Sequence, residues 1–176
     1  MSATSDNSEL STQNLALLAA TRRDTFDLLR YTLEFADDIA DADLDALVEA
    51  IAAPIVAATD CTQCARCCRA LDVYLIPEDA VRLAAGLGCD VEQALAEYVD
   101  RESAAVEGEW GRLRGKPCPF LADGLCSLYA HRPESCRLYP AFTPDFRWTL
   151  EDLIPGAAVC PIIMQVLDAL AARFGL

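Results

Sequence analysis

The chain has 176 residues, of which 53% are hydrophobic, so it is long and apolar enough to bury one real core. Its formal charge of -14 at pH 7 excludes a nucleic-acid wrapper and a binder of anionic membranes. No uninterrupted apolar stretch reaches the roughly 20 residues needed to span a bilayer, so no membrane association is expected.

Residues 1–14 are polar, rich in Ser, Thr and Asn, and read as a flexible tail. No basic residue precedes Arg22, and the apolar run Leu15–Ala20 is short for a secretory h-region, so no leader is expected. From Leu15 the pattern turns helical. Phe26, Leu29, Leu33 and Ala36 recur at three- to four-residue spacing, and Leu28 and Phe35 widen the stripe. Asp37, Asp38, Asp41, Asp43 and Asp45 mark a break and a fresh helix start, because carboxylates suit the positive end of a helix. Leu44, Leu47, Val48 and Ile51 line the second helix, with Pro54 disturbing its far end. Residues 15–59 therefore read as a helical hairpin, a scaffold. Asp41, Asp43 and Asp45 also imitate the opening of an EF-hand loop. Ala46 and Ala52 stand where that loop needs Gly and Glu, so calcium is rejected.

Val73–Ile76 reads as a short extended segment. Pro77 then starts a helix at its favoured first position, followed by Glu78 and Asp79, and Gly86 and Gly88 end it. Asp90 caps the next helix, which turns Val91, Leu95, Tyr98 and Val99 inward. Cys89, alone at that cap, reads as a structural thiol. Gly86-Leu87-Gly88 lacks the strand and spacing of a dinucleotide fingerprint. Trp110–Arg114 suggests another strand. Residues 116–161 carry seven prolines and read as one long loop-rich region, which must be functional or held by something. An amphipathic helix over 162–174, using Ile163, Val166, Leu167 and Leu170, closes the chain. The fold class expected is mainly α: an irregular single domain over 15–176, with helices bracing a Cys-rich core at 60–161 and at most short strands.

The chemistry lies in the cysteines. Nine is an odd number, which argues against a fully paired secreted framework and for a reducing cytoplasm, where such crowding means metal or catalysis. Four fall within Cys61-Thr62-Gln63-Cys64-Ala65-Arg66-Cys67-Cys68, a polar run in which thiols recur every third residue. A second set is Cys118, Cys126, Cys136 and Cys160. All eight are candidate metal ligands. Four thiolates satisfy one tetrahedral zinc or one [4Fe–4S] cluster, so eight serve two centres, or one with thiols to spare. Cys67 and Cys68 are adjacent and their side chains diverge, so one of them should face a different centre or act as a reactive thiol. The Cys-x2-Cys-x2-Cys opening matches a ferredoxin run, and Cys118-Pro119 and Cys160-Pro161 each offer the closing Cys-Pro. Spacing thus leans to iron–sulfur over zinc. With one histidine in the chain, a histidine-rich site is excluded. His131 reads as a hydrogen-bonded structural residue rather than a proton donor. Arg66, Arg69, Arg132 and Arg137 each lie within four residues of a cysteine and can offset gathered thiolates, or serve as ordinary surface arginines. Tyr129, Tyr139, Phe120 and Phe142 are expected to form an apolar shell around the sulfurs.

These motifs, in this order, are shared with a known group of proteins. Cys-x2-Cys-x2-Cys-Cys-Arg at 61–69, Cys118-Pro119-Phe120-Leu121, Gly124-Leu125-Cys126-Ser127-Leu128-Tyr129, His131-Arg132-Pro133 and Cys136-Arg137-Leu138-Tyr139-Pro140 together resemble the YkgJ-type cysteine-cluster family. The resemblance covers about residues 61–161. It implies zinc or iron chelation and kinship with flagellin lysine N-methylases. Three functions follow as expectations: a cytoplasmic metal- or cluster-binding protein, a cluster-dependent enzyme of redox or methyl transfer, or a structural zinc scaffold whose acidic helices bind a protein partner.

Overall fold

The computed structural model describes residues 12–176, so the tail expected over 1–14 lies largely outside the described residues. In chain order the elements are α1 (Thr12–Glu34), α2 (Asp41–Ala58), α3 (Cys61–Cys64), α4 (Arg66–Ala70), β1 (Tyr74–Leu75), α5 (Pro77–Leu87), α6 (Val91–Tyr98), β2 (Val99–Asp100), α7 (Arg101–Val106), β3 (Gly111–Leu113), β4 (Leu121–Ala122), β5 (Leu125–Cys126), α8 (Glu134–Leu138), α9 (Phe146–Leu153) and α10 (Pro161–Arg173). Short 3-10 turns occupy Tyr129–His131 and Ile154–Ala158. The chain is mainly helical with very short strands, as its pattern predicts. It folds as two compact units, one built from the chain up to Thr59 together with Pro140–Leu176, the other from Asp60–Tyr139. The stretch 60–161, read from sequence as one metal-binding core, is therefore divided between them at Tyr139.

In the first unit α1 and α2 pack chiefly on α9, α10 and the Ile154–Ala158 turn. The expected helical hairpin over 15–59 thus gains its core from the far end of the chain. Leu15, Phe26, Leu29 and Leu33 are buried along α1, but Leu28 is 51% and Phe35 72% exposed. A helix advances about 100° per residue, which carries positions 28 and 35 to the side opposite Phe26. Pro54 does not end α2, which continues to Ala58. It lies on the exposed side, where water can satisfy the carbonyl it leaves unbonded.

Two of the aspartates after α1, Asp41 and Asp45, serve helix ends. Arg147 of α9 has a side chain only 6% exposed. Its guanidinium donates to the carbonyls of Leu33, Ala36 and Ile39 and, at 2.5 Å, to the Asp41 carboxylate. It therefore gathers the orphan carbonyls at the end of α1 and the first residue of α2 around one charge. Trp148 Nε1 donates to the other Asp41 oxygen at 3.1 Å. Asp45, one turn into α2, accepts the backbone N–H groups of Asp145 and Phe146 at 2.9 Å each and so caps α9 from a neighbouring helix. At the far side Arg22 of α1 pairs with Asp168 of α10 at 2.6 Å.

The second unit centres on an antiparallel three-stranded sheet, order β1-β3-β2, with Tyr74 opposite Arg112 and Val99 opposite Leu113. Gly111 on the central strand has no side chain because a Cβ there would stand 2.9 Å from Val99 Cγ1. Val73, Leu75, Leu83, Val99, Leu113, Phe120 and Leu128 form the core. Pro77 opens α5 and Gly88, at φ 69°, closes it, while Asp90 caps α6 by accepting the Gln93 N–H at 2.7 Å. Residues 116–161, expected as loop, hold the β4–β5 hairpin, α8, α9 and both 3-10 turns. The two-residue turn of that hairpin is Asp123-Gly124, with φ of 49° and 80°. An Asp-Gly pair with both φ positive is the favoured hairpin turn, because its twist matches that of the strands.

Two outcomes follow for the first unit. Replacing Arg147 by Met removes the donor that one buried and two half-buried carbonyls share, strands the Asp41 carboxylate, and should cost on the order of 3 kcal/mol in urea unfolding. The Asp41 carboxyl is held below the ordinary range, first by the Arg147 hydrogen bond and then by Trp148. Its contribution is complete above its unfolded pKa and is lost as pH falls through the lower folded value. Asp41→Asn should therefore be less stable than the native chain near neutrality, with the gap closing in acid.

Candidate metal centre

The first sulfur-bearing segment is two short helical turns set at an angle. Asp60 caps α3 by accepting from the Thr62 N–H at 2.9 Å, and it also accepts from Gln63 Nε2 at 2.9 Å. Cys61 and Cys64, three apart on that turn, share one side of it. Ala65 then takes a left-handed conformation, φ 50°, that ends α3 and lets α4 start in a new direction with Cys67 and Cys68. Arg69 Nη1 reaches back to the Cys64 carbonyl at 3.4 Å. The two neighbouring sulfurs, Cys67 Sγ and Cys68 Sγ, are 4.0 Å apart.

The second segment is anchored on the first. The Cys118 N–H donates to the Cys68 carbonyl at 2.8 Å. The Leu121 N–H then donates to the Cys118 carbonyl at 3.0 Å, and Leu121 pairs with Cys126 across the hairpin. The third segment is α8, which carries Cys136. Asp79, fully buried, accepts the Glu134 N–H at 3.0 Å, and Ser135 Oγ donates to the Tyr74 carbonyl at 2.7 Å, which sets α8 on β1. Cys118, Cys126 and Cys136 are half-buried and pack on the same core as Phe120 and Leu128.

The electrostatics show which sulfurs share a neighbourhood. Burial pushes the Cys136 thiol up to about 12, and Cys118, Cys68 and Cys126 add to the push. Burial raises Cys118, with Cys68 and Cys126 contributing. Burial raises Cys126, with Cys68 adding and Arg132 opposing. Cys68, Cys118, Cys126 and Cys136 are thus each within charge–charge reach of the other three. Cys61 is raised by burial and then by Cys64, while Arg132 opposes, and it also feels Cys68. The Cys67 and Cys68 sulfurs, 4.0 Å apart, act on each other most strongly. Cys68 falls below the ordinary thiol range because Cys67 donates a hydrogen bond to its thiolate, with Arg69 and Arg132 helping, and Cys67 rises in consequence.

Seven of the eight predicted ligands therefore lie in the 60–139 unit, and of these Cys61, Cys67, Cys118, Cys126 and Cys136 each interact with Cys68. The eighth, Cys160, belongs to the other unit, buried at the start of α10, where its N–H donates to the Gly156 carbonyl at 2.8 Å. Among the described residues, no three His, Cys, Asp or Glu side chains stand, as they are, in an arrangement that would hold a metal ion. Of the expected aromatic shell, Phe120 packs in the core beside the sulfurs, whereas Tyr129 is exposed under the Arg132 guanidinium at 3.6 Å and Phe142 is buried in the other unit. Of the four arginines, Arg69 and Arg132 act on the thiols, while Arg66 has a buried Nη1 with no hydrogen-bond acceptor among the described residues. His131 is a packing residue: a Cβ on Gly86 would come 2.8 Å from its own, so the bare glycine lets the Tyr129–His131 turn dock on α5. The hairpin that delivers Cys126 escaped the sequence reading, although Asp123-Gly124 is its signal.

The model of the CxxCxxCC family, described as "Putative zinc- or iron-chelating domain", matches residues 60–160. The chain belongs to this family. Among curated proteins and among solved structures, no similar protein matches it. The CxxCxxCC donor set suits either metal, since clustered thiolates are soft ligands for both zinc and iron. The match begins beside Cys61 and takes in all eight candidate cysteines. The cost of crowding the thiols gives the set its chemistry: neighbours and burial keep most of them protonated, and a bound cation would reverse that.

The thiols of the metal-free, reduced protein should differ in reactivity. Cys68 should be alkylated first near neutral pH and Cys136 last, because the thiolate is the nucleophile. Peptide mapping after brief iodoacetamide treatment reads the order, and equal labelling of the two would contradict the electrostatics described.

Proposed function

We propose that this CxxCxxCC protein is a cytoplasmic metal-binding protein whose 60–139 unit holds one all-sulfur centre through Cys68, Cys118, Cys126 and Cys136. The observation that carries the reading is the mutual neighbourhood of these four sulfurs, which come from three separate segments. Backbone bonding supports it, since Cys118 is tied directly to Cys68 and Leu121 links Cys118 to Cys126. The grouping takes Cys68 as the member of the adjacent Cys67–Cys68 pair that turns to the later cysteines, while its sulfur stays 4.0 Å from that of Cys67. The odd number of cysteines, nine, fits a reducing compartment.

An iron–sulfur cluster is the first reading of the centre. It is favoured by Cys118-Pro119, which offers the Cys-Pro that closes a ferredoxin run. When bound, such a cluster supplies one-electron chemistry. The protein's own part is to hold the four sulfurs, to screen them on one side with Phe120 and Leu128, and to offset their charge with Arg69 and Arg132. Zinc is the second reading. It is favoured because the four sulfurs staple three short segments with little secondary structure of their own, as a structural zinc does. The chelating role stands without a substrate, and an enzymatic role of the methylase kind would have to add one to the same centre.

Anaerobic purification followed by iron, acid-labile sulfide and zinc analysis tests this. Brown protein with matching iron and sulfide is the expected result, and colourless protein with one zinc selects the second reading. A folded chain with neither metal would end the proposal. Cys136→Ser should lower the bound metal to near zero, while Cys89→Ser, outside the group, should leave it unchanged.

A further inference from the structure

The unit that holds α1, α2, α9 and α10 leaves an apolar face uncovered. On α1, Leu28, Tyr31 and Phe35 are 51%, 52% and 72% exposed. A helix advances about 100° per residue, so the three stand within about 60° of one another and form one stripe. Trp148 of α9, 61% exposed, stands at the same end of α1. Its neighbour Arg147 donates to the Leu33 and Ala36 carbonyls, and its own Nε1 donates to Asp41. Glu151, one turn beyond Trp148, lies 3.9 Å from Arg30, whose guanidinium stacks on the Tyr31 ring at 4.3 Å. Apolar side chains exposed singly need no explanation. Four large ones gathered on one side of the packed pair α1 and α9 mark a contact surface.

The rim of this face selects its occupant. Asp24 stands one turn before Leu28 in the same stripe, and Asp37 and Asp38 follow soon after Phe35. All three are exposed and have no ion-pair partner among the described residues. Between them Glu34 and Glu151 share Arg30, at 3.0 and 3.9 Å. Five carboxylates thus surround the apolar side chains, and Arg30 offsets only one of their charges. A second copy of the chain would bring the same carboxylates against themselves, and anionic lipid or nucleic acid would be repelled. We infer that this face docks a basic amphipathic helix of another protein. Laid along α1, such a helix reaches Leu28, Tyr31, Phe35 and Trp148 with apolar side chains at three- and four-residue spacing, and the carboxylates with its Lys or Arg. Aromatic anchors inside a polar rim are where binding energy concentrates. Docking here adds a partner to the metal-binding role and needs nothing from the seven cysteines of the 60–139 unit.

The probe is a labelled synthetic peptide of Leu and Lys, with Leu spaced to form one helix face, titrated with the full chain as purified and followed by fluorescence anisotropy. One control has the same composition in scrambled order and so no apolar face. The other keeps the order with Glu for Lys. Only the first peptide should bind, and less tightly as salt rises. Leu28→Ser/Phe35→Ser should weaken it about tenfold or more, the scale on which anchor residues act. Asp37→Asn/Asp38→Asn should weaken it about threefold, the scale of exposed ion pairs. Circular dichroism and urea unfolding of both variants should match the native chain, because all four side chains are exposed. No binding of the first peptide, as when residues 1–11 already cover the face, would overturn the inference. So would equal binding of the scrambled peptide, or native affinity in the Leu28→Ser/Phe35→Ser variant. A native chain that sediments as a dimer, and as a monomer after that double change, would give the face to a second copy and overturn it too. None of these outcomes touches the metal content of the purified protein, which tests the chelating role separately.

Discussion

The Asp79 carboxylate is the contact on which the arrangement of the 60–139 unit turns. It has no exposure to solvent, yet it sits near the start of α5 and accepts three donors: the Ile76 N–H at 3.1 Å, Arg82 Nη1 at 2.9 Å and the Glu134 N–H at 3.0 Å. A buried carboxylate short of donors would cost several kcal/mol, so these three must arrive together. Two of them are helix starts. The same oxygens thus cap α5 from within and α8 from outside, which fixes α8 against the rest of the unit. At five residues α8 could not persist alone. Cys136 owes its position among the sulfurs to a carboxylate 57 positions earlier in the chain, not to any sulfur.

Around that frame the thiols are held closer than they would choose to be. For Cys118, Cys126 and Cys136 burial is the larger cause of the upward shift and neighbouring sulfurs the smaller one. Without metal, therefore, the inner group is mostly neutral and packs like other small apolar side chains on Phe120 and Leu128. Cys68 is the exception. Its thiolate is stabilised by the Cys67 thiol and by two arginines, so it is the natural first ligand for an arriving cation. Each later ligand must give up a proton, which couples binding to pH in one direction: acid weakens it.

The helices were legible because their signals are local. Pro77 at the start of α5, Gly88 at its end and Asp90 before α6 each act within one turn, and each acts as its residue type predicts. The buried stripe of α1 was legible in the same way at Phe26, Leu29 and Leu33, and misjudged only where Leu28 and Phe35 are apolar but face out. The aspartates before α2 showed that a helix starts there, but not that Asp41 and Asp45 serve α9, a hundred residues on. The candidate site was legible as a set of cysteines and not as a grouping. Sequence order sets Cys68 in one run with Cys61, Cys64 and Cys67, and adjacency says only that either Cys67 or Cys68 should face elsewhere. The left-handed turn at Ala65 swings α4 away from α3, and the Cys118–Cys68 backbone bond ties the later segment to it. Neither is a property of the cysteines themselves.

Charge closes the account of the site. Four thiolates around a divalent ion or a [4Fe–4S] core of charge about +2 leave roughly two negative charges. In a chain of formal charge -14 these would be costly without local cations. Arg69 and Arg132 are two such cations, and both are tethered in place. Arg69 donates to the Cys64 carbonyl and lies beside the Asp123-Gly124 turn, where a Cβ on Gly124 would stand 3.8 Å from its Nη2. Arg132 is held on the Tyr129 ring and carbonyl. Because both are anchored by backbone next to the cysteines, little side-chain freedom remains to be lost when the thiols ionise. Of the basic residues near the cysteines, Arg69 and Arg132 thus serve the sulfurs, while Arg112 is taken up by Asp100 and Glu107 and Lys116 by Asp72. Two fixed cations offset the roughly two negative charges that either zinc or an oxidised cluster would leave on four thiolates, and so lower the cost of gathering the sulfurs around either one.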